Sequence, residues 1–228
     1  MQHLILLHGA IGAKDQLYPL TIPLKHHYTI HTLNFSGHGG NSIPDDRFSI
    51  ELFAKDVLRY MQQQNIENLS IFGYSMGGYV AMWLAKNYPE KINKLITLAT
   101  KFYWDEIIAT KEIKMLNAEA IEQKIPAFAN QLKQRHAPND WKLVMQKAAE
   151  MLMNLGVNNT LKTEEYSSVA APCLLLLGDC DKMVTLDETV AVYKQLPNAQ
   201  LGVLPNTPHP IEQVNVDMLV YMMQRFLQ

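Results

Sequence analysis

Three side chains, a serine, an aspartate and a histidine in that order, carry the chemistry to which the rest of this sequence is subordinate. Ser75 lies within Gly73-Tyr74-Ser75-Met76-Gly77-Gly78, Asp181 within Gly178-Asp179-Cys180-Asp181, and His209 between Pro208 and Pro210. A serine hydroxyl is a weak nucleophile at neutral pH. It needs a base within hydrogen-bond reach, and the base needs a third group to orient it. In that reading His209 takes the serine proton and returns it to the leaving group. Asp181 holds the imidazole in the right tautomer and stabilises the imidazolium. Asp179 is a rival carboxylate two residues away, and either aspartate can also cap its own turn; Asp181 is preferred. His38 precedes Ser75 and is set aside as the base. His8 is read as a brace for its own turn, and His26, His27, His31 and His136 as surface or packing residues. No HxH, HExxH or paired CxxC spacing is present, so neither a metal nor another cofactor is expected.

The elements around Ser75 explain why that serine is singled out. Residues 69–74 read as a short apolar strand and residues 76–88 as a helix ended by Pro89. A Gly-x-Ser-x-Gly turn between strand and helix forces the hydroxyl out of a strained backbone, the arrangement of a nucleophile elbow. The helix start leaves N–H groups unpaired close to the serine. Two donors to a developing oxyanion follow: the Met76 N–H and, from the turn His8-Gly9-Ala10 after the first strand, the Ala10 N–H.

Strands are expected near residues 3–7, 28–34, 94–99, 173–177 and 200–204. Helices are expected over 50–64, 187–196 and 211–226, with a short helical stretch over 16–25. Their alternation argues a mostly parallel sheet covered on both faces. Ligands in such sheets bind beyond the carboxyl ends of the strands, where Ser75, Asp181, His209 and His8-Gly9 all fall. From Thr100 the alternation stops. Residues 101–168 are helical in pattern, with Asn117 capping a stripe of Ile121, Ile125, Phe128 and Leu132. A further helix from Trp141 is closed by Gly156. Residues 1–100 and 169–228 therefore read as one core, and 101–168 as a helical cap inserted into it. Tyr103, Trp104, Phe128, Trp141 and Met145, beside Phe102, are the candidate substrate wall.

The 228 residues suffice for one such domain. A net charge of −2 gives no reason to expect nucleic acid or an anionic membrane as a partner. Two cysteines, Cys173 and Cys180, form no disulfide framework. No signal peptide and no run of about 18 apolar residues is read. The expectation is a cytoplasmic protein acting on a small molecule.

His8-Gly9, Ser36-Gly37-His38-Gly39-x-x-Ser42, Gly73-Tyr74-Ser75-Met76-Gly77-Gly78, Gly178-x-x-Asp181-x-x-Val184 and His209 together resemble the α/β-hydrolase superfamily. The resemblance spans nearly the whole chain. It implies an α/β-hydrolase fold of about six strands, without the two leading strands of the family's full sheet. It also implies Ser75, Asp181 and His209 as a triad; hydrolysis of a small ester or thioester through an acyl-enzyme is the leading reading of that machinery. Pro208 stands where the family usually has a glycine before the histidine. The elbow is also similar to that of the menaquinone-pathway enzyme that eliminates pyruvate. That family has an arginine after the glycine pair, and this chain has Tyr79. A non-catalytic ligand-binding relative is the third reading, against which an intact triad argues.

Overall fold

The computed structural model describes residues 1–228. Six strands form one sheet: β1 (Gln2–Leu7), β2 (Tyr28–Thr32), β3 (Leu69–Tyr74), β4 (Ile92–Leu98), β5 (Cys173–Gly178) and β6 (Ala199–Leu204). Their spatial order is β2-β1-β3-β4-β5-β6, and every neighbouring pair is parallel. This is the α/β-hydrolase fold. All residues of β3 and β5 are buried, as parallel strands covered on both faces must be. Side chains alternate between two apolar layers, following the two-residue period of a strand. Ile5, Leu7, Ile71, Leu95 and Leu175 join the larger layer. Leu4, Leu6, Phe72, Ile96 and Leu174 join the smaller one.

Helix α1 (Tyr18–Leu24) and the C-terminal α9 (Val216–Leu227) cover the smaller layer. The larger layer is covered by α2 (Ile50–Gln63), α3 (Met76–Asn87) and α8 (Leu186–Gln195). Between β4 and β5 lie only helices: α4 (Glu106–Glu112), α5 (Ala118–Lys124), α6 (Pro126–His136), α7 (Trp141–Val157) and short 3-10 turns. Four residues of α7, Val144, Met151, Leu152 and Leu155, belong to the main core. This segment is therefore packed onto the sheet domain through α7 rather than joined only at its ends.

Among the sequence-based boundaries that differ from the structure, three have a clear physical reason. The single stripe Ile121-Ile125-Phe128-Leu132 is broken: α5 ends at Lys124, and Pro126 opens α6, leaving Ile125 exposed. A proline cannot continue the preceding helix because its ring crowds the previous turn and it lacks an N–H. Gly156 does not close α7, which runs to Val157. A Cβ there would sit 2.7 Å from Ala109 Cβ and 2.8 Å from Asp105 O, so the glycine permits a close α4–α7 crossing. The last helix begins at Val216, after a 3-10 turn at Ile211–Gln213, because the Asn215 side chain caps it by accepting the Met218 N–H at 3.0 Å.

The chain moves from β1 outward to β2 and then crosses back to β3, so strand order reverses between β1 and β3. Crevices at such reversals are where open α/β sheets bind ligands. Here the crevice is bounded by the turn after β1 and the turn after β3. A Cβ on Gly9 would lie 3.5 Å from Ser75 Cβ. Close approach also explains Gly77: a Cβ there would meet Leu7 O at 2.6 Å and His8 O at 2.7 Å, both backbone atoms that cannot move aside. Gly77→Ala is therefore expected to lower stability by about 1–3 kcal/mol through overpacking. Urea denaturation measures it, and an unchanged midpoint would contradict this account of the α3–β1 contact.

Candidate active site

Ser75 links β3 to α3 with φ 52° and ψ −118°. A non-glycine residue at positive φ is uncommon and costs energy that the surroundings must supply. The surroundings here are specific. Ser75 N–H donates to Leu98 O at 2.8 Å, and Ser75 O accepts from the Thr100 hydroxyl at 3.1 Å and from Gly78 N–H at 3.0 Å. Both sides of the serine's backbone are thus held by neighbours.

Asp181 and His209 arrive from the ends of β5 and β6. The Asp181 side chain is fully buried. Its Oδ1 accepts the Met183 N–H at 2.8 Å and the Val184 N–H at 2.9 Å, and its Oδ2 accepts from His209 Nδ1 at 2.8 Å. Burial is the largest single influence on this carboxyl and would raise its pKa. The hydrogen bond and charge of His209, with the Val184 and Met183 N–H groups, outweigh it and hold the pKa below the ordinary aspartate value. The bond to Asp181 places the proton on His209 Nδ1 and leaves Nε2 with a free lone pair, the form a general base requires. Asp179 does a different job: its Oδ1 accepts the Thr207 N–H at 3.1 Å and so fixes the loop that carries His209. Tyr74 adds a second hold, donating its hydroxyl to His209 O at 3.1 Å.

Ser75, Met76, Gly9, Ala10 and His209 line one cavity of about 320 Å³. No hydrogen bond joins the Ser75 hydroxyl to His209 in this structure. Such bonds are often long or poorly aligned without substrate and tighten in the complex. Met76 opens α3, so its N–H has no acceptor within the helix. The Ala10 N–H has no backbone acceptor. Two unpaired donors therefore border the cavity next to the serine.

Of the candidate substrate wall, Trp104 and Phe128 line the cavity. Tyr103, Trp141 and Met145 do not, which corrects the sequence reading. Tyr103 is half-exposed, while Trp141 and Met145 are buried in a small cluster with Ile121 and Leu132 that holds α5, α6 and α7 together. Aromatic and sulfur side chains on an amphipathic helix serve its own packing first. The sequence reading missed most of the wall: Ile50, Tyr79, Met151, Leu152 and Leu155 on the apolar side, and Gln16, Lys101, Glu112, Arg135 and Glu212 on the polar side. They come from five helices, two 3-10 turns and a loop, and no local pattern marks them.

Three histidines outside the Asp181–His209 pair are wholly buried, His8, His38 and His136. Their rings form a row, with centroids 5.2 Å apart for His8–His38 and 5.8 Å for His38–His136. His136, assigned to surface or packing from sequence, instead bonds at both ring nitrogens: Nδ1 accepts the Gly39 N–H at 3.2 Å and Nε2 donates to Ile11 O at 3.1 Å. Burial, reinforced by the neighbouring rings, lowers the pKa of His8 well below the usual histidine value and that of His136 to about 4; burial lowers His38 as well.

Comparison with known proteins agrees with the fold. The family model described as the alpha/beta hydrolase fold matches residues 2–140. A Haemophilus influenzae protein provisionally described as an esterase/lipase is 25% identical over 244 residues, covering 98% of this chain and 82% of its own length. A Bacillus subtilis protein provisionally described as a 2-succinyl-6-hydroxy-2,4-cyclohexadiene-1-carboxylate synthase is 22% identical over 237 residues, covering 91% of this chain and 83% of its own. Among solved structures, a hydrolase from Pseudomonas aeruginosa superposes with a TM-score of 0.81 at 16% identity, covering 99% of this chain and 89% of that one. No helix is long and apolar enough to cross a membrane.

The buried histidines make stability depend on pH in a definite direction. In the unfolded chain they take up protons near pH 6.5, whereas burial in the fold disfavours their charged forms. Acidification below about pH 6.5 therefore favours the unfolded state, and the loss continues until the folded rings also protonate, near pH 4 for His136. The melting temperature should fall steadily from pH 7 to pH 4.5 when followed by circular dichroism. A melting temperature flat across that window would contradict neutral burial of the three rings.

Proposed function

The chain belongs to the α/β-hydrolase family, and we propose that it is a serine hydrolase cleaving a small carboxylic ester or thioester through an acyl-enzyme. The observation that carries this reading is the Asp181–His209 pair, its imidazole lining the same cavity as a serine at positive φ. In the proposed reaction His209 Nε2 accepts the Ser75 proton as the oxygen attacks the acyl carbon. The Met76 and Ala10 N–H groups stabilise the oxyanion. Collapse of the tetrahedral intermediate expels the alcohol or thiol, which takes the proton from His209. Water, deprotonated by the same ring, then releases the acid and regenerates Ser75. Asp181 orients the imidazole and balances its charge throughout.

The cavity supports an apolar acyl group. Ile50, Tyr79, Met151, Leu152 and Leu155 line it from α2, α3 and α7. We read residues 101–168 as a cap over the sheet domain, because α4, α6 and α7 contribute Glu112, Phe128, Arg135 and the α7 residues to one side of this space. A triad-dependent synthase, the activity in the name of the Bacillus subtilis relative, is the second reading. Its carboxylate-bearing product calls for free cations in the site. Lys101 pairs with Glu188 at 3.3 Å, and Arg135 pairs with Asp15 at 3.2 Å and Glu212 at 3.6 Å. Tyr79 fills the position after the glycine pair, with its hydroxyl engaged by Asn159 and by the Leu161 N–H. These pairings favour the hydrolase.

Ser75→Ala should lower kcat on short p-nitrophenyl esters by roughly 10³-fold or more, measured by steady-state kinetics. Retained activity would end the assignment, and release of pyruvate from the menaquinone precursor would favour the second reading. The two aspartates should separate: Asp181→Asn is expected to cost about 10²-fold or more in kcat because it presents the wrong tautomer of His209. Asp179→Asn should cost less than about tenfold, since it removes one loop hydrogen bond. The reverse ranking would exchange their roles.

A further inference from the structure

We propose that His136 is a positioning residue for the loop that carries the Ala10 N–H, so that docking of the helical segment between β4 and β5 completes the oxyanion-binding geometry. The proposal rests on Ala10 N–H serving the oxyanion, as read above.

Three successive carbonyls on that loop each face a ring nitrogen of a different buried histidine. His8 Nδ1 lies 2.8 Å from Gly9 O, His38 Nε2 lies 2.6 Å from Ala10 O, and His136 Nε2 lies 3.1 Å from Ile11 O. A peptide unit is planar and trans, so its C=O and the following N–H point in opposite directions. Holding Gly9 O against His8 therefore sends the Ala10 N–H the other way. Holding Ala10 O and Ile11 O prevents the next two peptides from rotating and carrying the first with them. Gly9, Ala10, Ile11 and Gly12 all line the cavity, so the row of rings stands behind its wall.

The ring of His136 is distinguished by its origin. His8 and His38 follow β1 and β2, but His136 is the last residue of α6, and 125 positions separate it from Ile11. Its surroundings dock firmly. Asn139 Nδ2 donates to Gly37 O at 3.2 Å and to Asn41 O at 2.7 Å, and Arg135 pairs with Asp15 and Glu212. Residues 135–139 thus bridge the loops that follow β1, β2 and β6. Because His136 Nδ1 accepts the Gly39 N–H, its one proton must sit on Nε2, facing Ile11 O. A residue that only filled space would need neither polarity.

Substitutions separate the two roles. His136→Gln keeps a donor where Nε2 stands, His136→Asn keeps only an acceptor toward Gly39, and His136→Leu keeps neither. The readouts are kcat and KM on short p-nitrophenyl esters, and amide hydrogen exchange in residues 9–12. The Gln variant should stay within about threefold of wild type, while Asn and Leu should lose roughly tenfold or more in kcat with KM within about threefold, the scale of one buried hydrogen bond. Amides 9–12 should exchange faster in Asn and Leu but not in Gln. Asn and Leu variants matching wild type in both readouts, or a Gln variant as impaired as Leu, would overturn the proposal. Wild-type protein inactive on every ester tested would count against the proposed function instead. Faster exchange in Leu and Asn alone would then uphold the positioning of the loop, and unchanged exchange would refute it.

Discussion

A serine backbone forced to φ 52° is the constraint on which the site depends. The conformation costs on the order of 1–3 kcal/mol and persists only where neighbours over-determine it. Here the neighbours are Leu98 O, the Thr100 hydroxyl and the N–H groups of the first turn of α3. They lie on β4, just after β4, and on α3, so the turn requires β3, β4 and α3 to be packed together. The glycines beside it follow from the same demand. α3 must start close enough to β1 for its first N–H to share a cavity with the serine, and Gly77 leaves only backbone in that gap.

The parallel sheet then supplies the partners. Because every strand points the same way, the turns after β1, β3, β5 and β6 open at one rim. Each turn is fixed by its own local bonds before it contributes a functional group. Asp179 secures the loop after β6 while Asp181, two residues on, turns inward to His209. Two carboxylates that look interchangeable in sequence are thus divided by geometry. Asp179 accepts from a backbone amide of the His209 loop, and Asp181 accepts from the imidazole itself on its second oxygen. The helices between β4 and β5 add one side of the cavity wall, and they also reach the turn after β1 through Arg135 and His136. This segment and the turn after β1 are therefore not mechanically independent.

How much of this was legible in the sequence depends on how local the determinants are. The strands, the elbow at Ser75 and the placing of Asp181 and His209 at strand ends could be read, because period-2 apolar runs, glycine spacing and helix stops are local signals. The break at Pro126 was also written in the chain, and the hydrophobic stripe obscured it. The cavity wall was much less legible. Trp141 and Met145 look like a substrate wall on composition, yet they pack α5, α6 and α7 to one another, while Leu152 and Leu155 on the same helix face the cavity. Which side of a helix meets which neighbour is a tertiary fact. His136 shows the limit most plainly: nothing near it in sequence points to a carbonyl 125 positions away.

The central claim is that the strained serine is a nucleophile activated by a histidine that a buried aspartate holds in place. Labelling of the folded protein by a fluorophosphonate, followed by peptide mapping, tests it most directly. The account predicts one adduct per chain, on Ser75, lost when His209 is replaced by alanine. A folded protein that takes no label, or takes it elsewhere, would contradict it.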